Sequence, residues 1–165
     1  GGFTEFVPLP FVGAEAPIFL RGGARRGPTL RESVLMHAVS RLVLHPHIKN
    51  IQTSWVKLGR EGVALCLNSG ANDLGGTLMN ESITRAAGAN HGQEWPPAHI
   101  EAVIQALGRN PRQRTTLYTE VDAEQRRSAW NAAPLAPIVE TPARRYERGN
   151  RQPLVRPGLE TGLRP

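Results

Sequence analysis

Ile51-Gln-Thr-Ser-Trp-Val-Lys-Leu-Gly59 and Asn72-Asp-Leu-Gly-Gly-Thr-Leu-Met-Asn-Glu81 decide how this chain folds. Each reads as a short strand, Ile51 to Leu58 and Asp73 to Leu78, with polar residues toward its C-terminal end. Parallel α/β folds carry their chemistry at that end, in the crevice outside the strand termini. A helical segment from Arg60 to Asn68, stopped by Ser69-Gly70 in the manner of a glycine cap, joins the two. The resulting strand, helix, strand unit presents Gln52, Ser54, Trp55, Asp73 and the Gly75-Gly76 pair along one rim.

Upstream, Phe3 to Phe11 is apolar and β-prone but cut by Pro8 and Pro10, which predicts a buried strand running into a loop. Thr29 and Glu32 have the spacing of a capping box. Leu30, Val34, Leu35, Ala38, Val39, Leu42 and Val43 follow at helical spacing, so a helix with one apolar face is expected to near Leu44, where His45-Pro46 disfavours continuation. Downstream, Asn80 to Gly88 reads as a short helix, Pro96-Pro97 opens another that closes at Gly108, and Arg114 to Val121 reads as extended. Beyond Asp122, recurring prolines with little apolar periodicity predict a loosely packed or disordered tail. The chain therefore divides into an α/β part, residues 1–121, and a Pro/Arg-rich extension, residues 122–165. Three parallel strands with right-handed crossovers can neither close a barrel nor bury both sheet faces. With an opening Gly1-Gly2-Phe3 that lacks an initiator methionine, the chain is expected to be a piece of a longer polypeptide.

The net charge of +6 and pI near 10.6 raise the question of nucleic acid or an anionic membrane. All but Lys49 and Lys57 of the 20 basic residues are arginine, and more than half of the arginines lie from Arg109 onward. That skew is easily produced by a GC-rich genome, and aromatic and basic residues do not interleave as a single-strand groove requires. No nucleic-acid partner is expected. Cys66, the one cysteine, sits in the apolar run Val63 to Leu67 and reads as a buried structural thiol. No run approaches the roughly 20 apolar residues of a membrane span, and no signal peptide opens the chain. A reducing cytoplasm and no membrane are expected.

Each candidate residue has a bland reading beside the functional one. Gly75-Gly76 either lets backbone approach a phosphate or carboxylate ahead of a helix start or makes a tight turn. Asp73 and Glu81 are either paired carboxylates or, respectively, a strand start and a complement to a helix N-terminus. Trp55 is either core or a substrate platform. His45 and His47 form a His-Pro-His sequence that suggests a metal pair, but they precede a strand, at the end opposite the rim, and so read as structural packing or helix C-terminal charge, and His37 reads as structural too. His91, in the loop after the third strand, could carry a proton or donate a hydrogen bond.

Longer tracts are more specific. The runs Phe3-Thr-Glu-Phe-Val-Pro-Leu-Pro-Phe11, Arg25-Arg-Gly-Pro-Thr29, His45-Pro-His-Ile48, Asn50 to Gly59, Asn72 to Ser82, Arg85-Ala-Ala-Gly88 and Pro111-Arg-Gln-Arg-Thr-Thr-Leu-Tyr118 resemble the C-terminal part of the tyrosine-using half of the FO synthase family. The likeness continues into Pro142 to Tyr146 and Pro153 to Gly158. It implies the last strands of a radical S-adenosylmethionine (β/α) TIM-type barrel. In that family a 4Fe-4S cluster cleaves S-adenosylmethionine, and the resulting radical takes hydrogen from L-tyrosine. A 4-hydroxybenzyl group then adds to 5-amino-6-(D-ribitylamino)uracil, and the other FO synthase half, fused or separate, closes the deazaflavin ring. The family's three clustered cysteines are absent, so this piece alone is expected to hold no cluster and to be inactive. Carried over, the likeness makes Gln52, Ser54, Trp55, Asp73, Gly75, Gly76, Thr77, Asn80, Glu81 and His91 substrate contacts, and brings the backbone at Pro8 near the adenosyl group.

Two rivals stand beside it. A sister radical enzyme of menaquinone (futalosine) biosynthesis shares the barrel and variants of the Asp-Leu-Gly-Gly-Thr tract, while the tracts around Trp55 and Arg112-Gln-Arg114 favour FO synthase. A non-enzymatic, Arg-rich binding module would show salt-dependent association with oligonucleotides.

Overall fold

The computed structural model describes residues 2–78 and 80–131. In chain order the elements are β1 (Glu5–Phe6), α1 (Pro17–Leu20), α2 (Leu30–Leu44), β2 (Asn50–Thr53), α3 (Trp55–Asn68), β3 (Asp73–Leu74), α4 (Ile83–Ala86), α5 (Pro97–Ala106) and α6 (Ala123–Trp130). The three strands form one parallel sheet in the order β1-β2-β3, with Phe6 opposite Ile51 and Gln52 opposite Asp73. α2 carries the chain from β1 to β2 and α3 from β2 to β3, as parallel pairing demands. Ile51 and Thr53 are fully buried, and Thr53 reaches Cys66 of α3. Because side chains alternate along a strand, Gln52 projects from the other face.

The core lies between α3, β3 and α5. Trp55, Val56, Val63, Cys66 and Leu67 pack with Ala71 and Val103, and Val34, Leu74, Trp95 and Leu107 close over them. Burial pushes the Cys66 thiol up, as expected of a structural cysteine. Arg41 ties α2 to the sheet. Its guanidinium donates to the carbonyls of Gly70 (2.7 Å) and Lys49 (2.8 Å) and to Asn72 Oδ1 (2.6 Å). Asn72 Oδ1 also accepts the Ile51 amide at 2.9 Å, so one arginine holds the starts of β2 and β3 together.

The capping box on α2 is present: Thr29 Oγ1 accepts from the Glu32 amide and the Glu32 carboxylate accepts from the Thr29 amide. The burial of that helix departs from the expected apolar face. Ser33, His37 and Ser40 are buried, whereas Leu35, Met36, Val39, Leu42 and Val43 are exposed. Small and polar positions face inward because α2 approaches its neighbours closely: a Cβ on Gly62 would lie 3.3 Å from Leu30, and one on Gly70 would lie 2.8 Å from Arg41 Cβ.

Other boundaries also shift. The expected strand to Leu58 ends at Thr53, and Trp55 opens α3 behind an extended Ser54. Gly59, at φ 63° and ψ −172°, interrupts that helix before Arg60, so the β-prone residues Trp55, Val56 and Leu58 are one helical turn set off by a glycine break. β3 stops at Leu74 rather than Leu78, and α4 spans only Ile83–Ala86. Arg114 pairs with Glu120 in a single antiparallel bridge, not a longer strand. Within the expected tail, Asp122 accepts the Gln125 amide at 2.7 Å and starts α6. The rest of that extension, residues 132–165, lies outside the described residues.

Candidate functional site

The face of the sheet bearing Gln52 carries a polar cluster built from all three strands and from the segment after α5. The Gln52 side-chain NH2 donates to Asp73 Oδ2 (2.8 Å) and to Glu5 Oε2 (3.1 Å). Arg114 Nε donates to Asp73 Oδ1 at 2.8 Å, and its Nη2 pairs with Asp73 Oδ2 and lies 3.5 Å from Glu5 Oε2. Tyr118 places its hydroxyl against Glu5 Oε2 and 2.9 Å from Asp73 Oδ2, with the Arg114 guanidinium 3.9 Å above its ring. The Asp73 side chain is 11% exposed, and Arg114 meets it with the two-pronged geometry that suits a carboxylate. Asp73 holds the guanidinium more firmly protonated than usual. Burial, and then the hydrogen bonds to Glu5 and Asp73, push the Tyr118 phenol far above its ordinary range.

A cavity of about 670 Å³ opens beside this cluster. Gln52, Asp73, Gly75, Gly76 and Thr77 line it together with Glu5 and Arg114, and α5 and α6 form its far wall. Five of the expected site residues thus share one cavity. Neither glycine of the pair has a positive φ. A Cβ on Gly75 would sit at an ordinary 3.5 Å from Gln52 Oε1, and one on Gly76 would meet nothing within 4 Å. Backbone conformation and packing among the described residues therefore leave both positions free to carry a side chain.

The remaining expected site residues do not line this cavity. Trp55 is 1% exposed; it stacks on Trp95 with centroids 5.3 Å apart, and its indole N–H donates to the Gly76 carbonyl at 3.0 Å. It supports the glycine pair from beneath instead of forming a wall. Ser54 occupies the N-cap position of α3. Glu81 caps α4, accepting from the amides of Ile83 (2.9 Å) and Thr84 (3.2 Å). Asn80, at φ 55°, accepts from Gln93 at 3.0 Å. His91 packs its ring on Gly59 and lies 3.2 Å from the Val56 carbonyl, and burial pulls its pKa below the usual imidazole range. Pro8 is half-buried in the loop after β1.

Sequence reasoning missed Glu5, Arg114 and Tyr118 as site residues. Their only signals were the Phe3 to Phe11 tract, which contains Glu5, and the Pro111 to Tyr118 tract, whose arginine and tyrosine lie far along the chain from the strands they meet.

A parallel sheet whose polar face opens on one cavity, with helices connecting its strands, makes this an α/β domain of the class that takes ligands in crevices beside its sheet. The chain belongs to the family described as CofH/MqnC C-terminal region, whose sequence model matches residues 1–126. It is 57% identical over 129 residues to an FO synthase of Streptomyces avermitilis, a match covering 78% of this chain and 15% of that protein. An FO synthase of Mycobacterium leprae is 55% identical over 118 residues, 72% of this chain and 14% of that protein. The 5-amino-6-(D-ribitylamino)uracil--L-tyrosine 4-hydroxyphenyl transferase of Methanopyrus kandleri is 56% identical over 121 residues, 73% of this chain and 33% of that protein. The chain therefore spans about a seventh of the FO synthases it matches and a third of the transferase.

Proposed function

We propose that this chain is the C-terminal part of an enzyme that joins the 4-hydroxybenzyl group of L-tyrosine to 5-amino-6-(D-ribitylamino)uracil, by radical S-adenosylmethionine chemistry, in deazaflavin coenzyme biosynthesis. The observation that carries this reading is identity above 50%, spread over some 120 residues, both to FO synthases and to a transferase named for those two substrates. In this reading β1, β2 and β3 are the last strands of a barrel. The unpaired outer edges of β1 and β3 among the described residues, and the apolar residues that α2 exposes, support it, because a closing barrel would cover them.

The implied cluster finds no ligands here. Among the described residues no three His, Cys, Asp or Glu side chains could hold a metal ion, and the one cysteine of the sequence, Cys66, is buried in the core. Cluster and S-adenosylmethionine would be held by the rest of the polypeptide. The part played by this chain is to bind and orient substrate and to keep water out. Gly75 and Gly76 have no conformational need to be glycine, which supports a role in letting a ligand lie directly on the backbone. Gln52, Asp73 and Thr77 line the same cavity and are among its polar groups.

The test is product analysis of the full-length polypeptide containing this chain, reconstituted with its cluster and given reductant, S-adenosylmethionine, L-tyrosine and the ribitylaminouracil. Mass spectrometry should show a hydroxybenzyl adduct of the uracil. Absence of the adduct, with turnover of a menaquinone precursor instead, would assign the chain to the sister enzymes that share its family description.

A further inference from the structure

We propose that Arg114 and Tyr118 are positioning residues: they hold the Gln52 amide with its carbonyl oxygen toward Gly75 and the cavity, so that the ligand group bound there is an N–H or O–H donor. The inference rests on the site reading above and adds the residues that set its specificity.

A glutamine amide presents two hydrogens on one side and an acceptor on the other, and its neighbours decide which way it faces. Here Glu5 Oε2 and Asp73 Oδ2 lie 3.1 and 2.8 Å from Gln52 Nε2. The opposite rotation would set Oε1 against two carboxylate oxygens, acceptor against acceptor, so it is excluded. Oε1 must therefore face Gly75, where a Cβ would come within 3.5 Å of it. What makes that environment persist is the pair from the far segment. Two carboxylates converge on a single amide nitrogen only if their charge is offset and their oxygens are bridged. Arg114 supplies the charge through its fork on Asp73, and Tyr118 sits between Glu5 Oε2 and Asp73 Oδ2. Without them the carboxylates separate and the amide is free to rotate, offering the cavity a donor as often as an acceptor.

The experiment is calorimetric titration of the full-length polypeptide with L-tyrosine and, separately, with 5-amino-6-(D-ribitylamino)uracil, using wild type, Gln52→Leu, Arg114→Met and the double variant. Gln52→Leu should raise the Kd of one of the two substrates about tenfold, the worth of one hydrogen bond to a neutral acceptor, and Arg114→Met should raise the Kd of that same substrate about twofold or more, since a freely rotating amide presents its acceptor only about half of the time. The double variant should be no weaker than Gln52→Leu alone, because Arg114 acts through Gln52. Arg114→Lys, which keeps the charge but not the fork, should fall between wild type and Arg114→Met. A purely structural Arg114 would lower the thermal midpoint while leaving Kd unchanged or adding to the Gln52→Leu effect; either result overturns the proposal. Tyr118→Phe removes a single oxygen and guards against a Gln52→Leu protein that does not fold: a wild-type Kd for both substrates in Tyr118→Phe also overturns it. A wild-type protein that binds neither substrate would instead overturn the proposed function, before any variant is compared.

Discussion

Arg114 reaches back across 41 residues of sequence to grip Asp73 with both prongs of its guanidinium, Nε on Oδ1 at 2.8 Å and Nη2 on Oδ2. The contact joins the segment following α5 to the outermost strand of the sheet. Gln52 and Glu5 converge on the same carboxylate cluster, so a single arginine organises the polar face of all three strands.

Loss of that contact should be costly, because it strands an 11%-exposed carboxylate beside a second one. Arg114→Met is expected to destabilise the protein by about 2 kcal/mol in urea unfolding, with Arg114→Lys recovering part of the loss. A change within about 0.5 kcal/mol, typical of a surface position, would show that the pair contributes little.

Tyr118 gives the stability a dependence on alkaline pH. Burial and two carboxylate neighbours raise its phenol pKa above the unfolded value near 10, so the folded state keeps a proton that the unfolded state releases. Stability from this group is complete below about pH 10 and declines as the pH rises beyond it. Urea melts between about pH 8 and 11 should show that decline, and Tyr118→Phe should flatten it. An equal slope in the variant would assign the effect to other groups.

Gly59 is expected to resist substitution. At φ 63° and ψ −172° it occupies a region that side chains rarely enter, and a Cβ would lie 3.1 Å from the His91 ring. Gly59→Ala should cost about 1 to 3 kcal/mol, measured by the shift in unfolding midpoint. A neutral result would mean that the break in α3 relaxes easily.

Gly76 makes the opposite prediction. Its φ is not positive and no described atom lies within 4 Å of where a Cβ would sit, so Gly76→Ala should leave stability within about 0.5 kcal/mol of wild type. Substrate affinity of the full-length enzyme should nevertheless fall, as read by the same calorimetric titration. Unchanged affinity would remove the backbone at Gly76 from the binding surface.

Much of the framework was legible from local chemistry. The capping box of Thr29 and Glu32, the stop at Ser69-Gly70 and the proline start of α5 each depend on neighbours within four residues, and each stands where its spacing placed it. Strand lengths were harder to read, because Trp55, Val56 and Leu58 are as content in a buried helical turn as in a strand, and only Gly59 marked the break. The α2 stripe misled for a related reason. Periodicity shows that a helix has an apolar face but not what that face meets, and here the close neighbours took the side with Ser33, His37 and Ser40.

The sequence by itself determined the alternation of strands and helices, the parallel order that this alternation requires, and the two segments whose Gln52, Asp73 and glycine pair share one cavity. Only the tertiary structure decided that Glu5, Arg114 and Tyr118 gather with Gln52 and Asp73 on one sheet face, and that Trp55, Glu81 and His91 hold backbone instead of facing the cavity. The physical reason is range. Turns, caps and strand patterns come from contacts between near neighbours, whereas a charge pair such as Arg114 and Asp73 exists only once the chain across the 41 positions that separate them has folded.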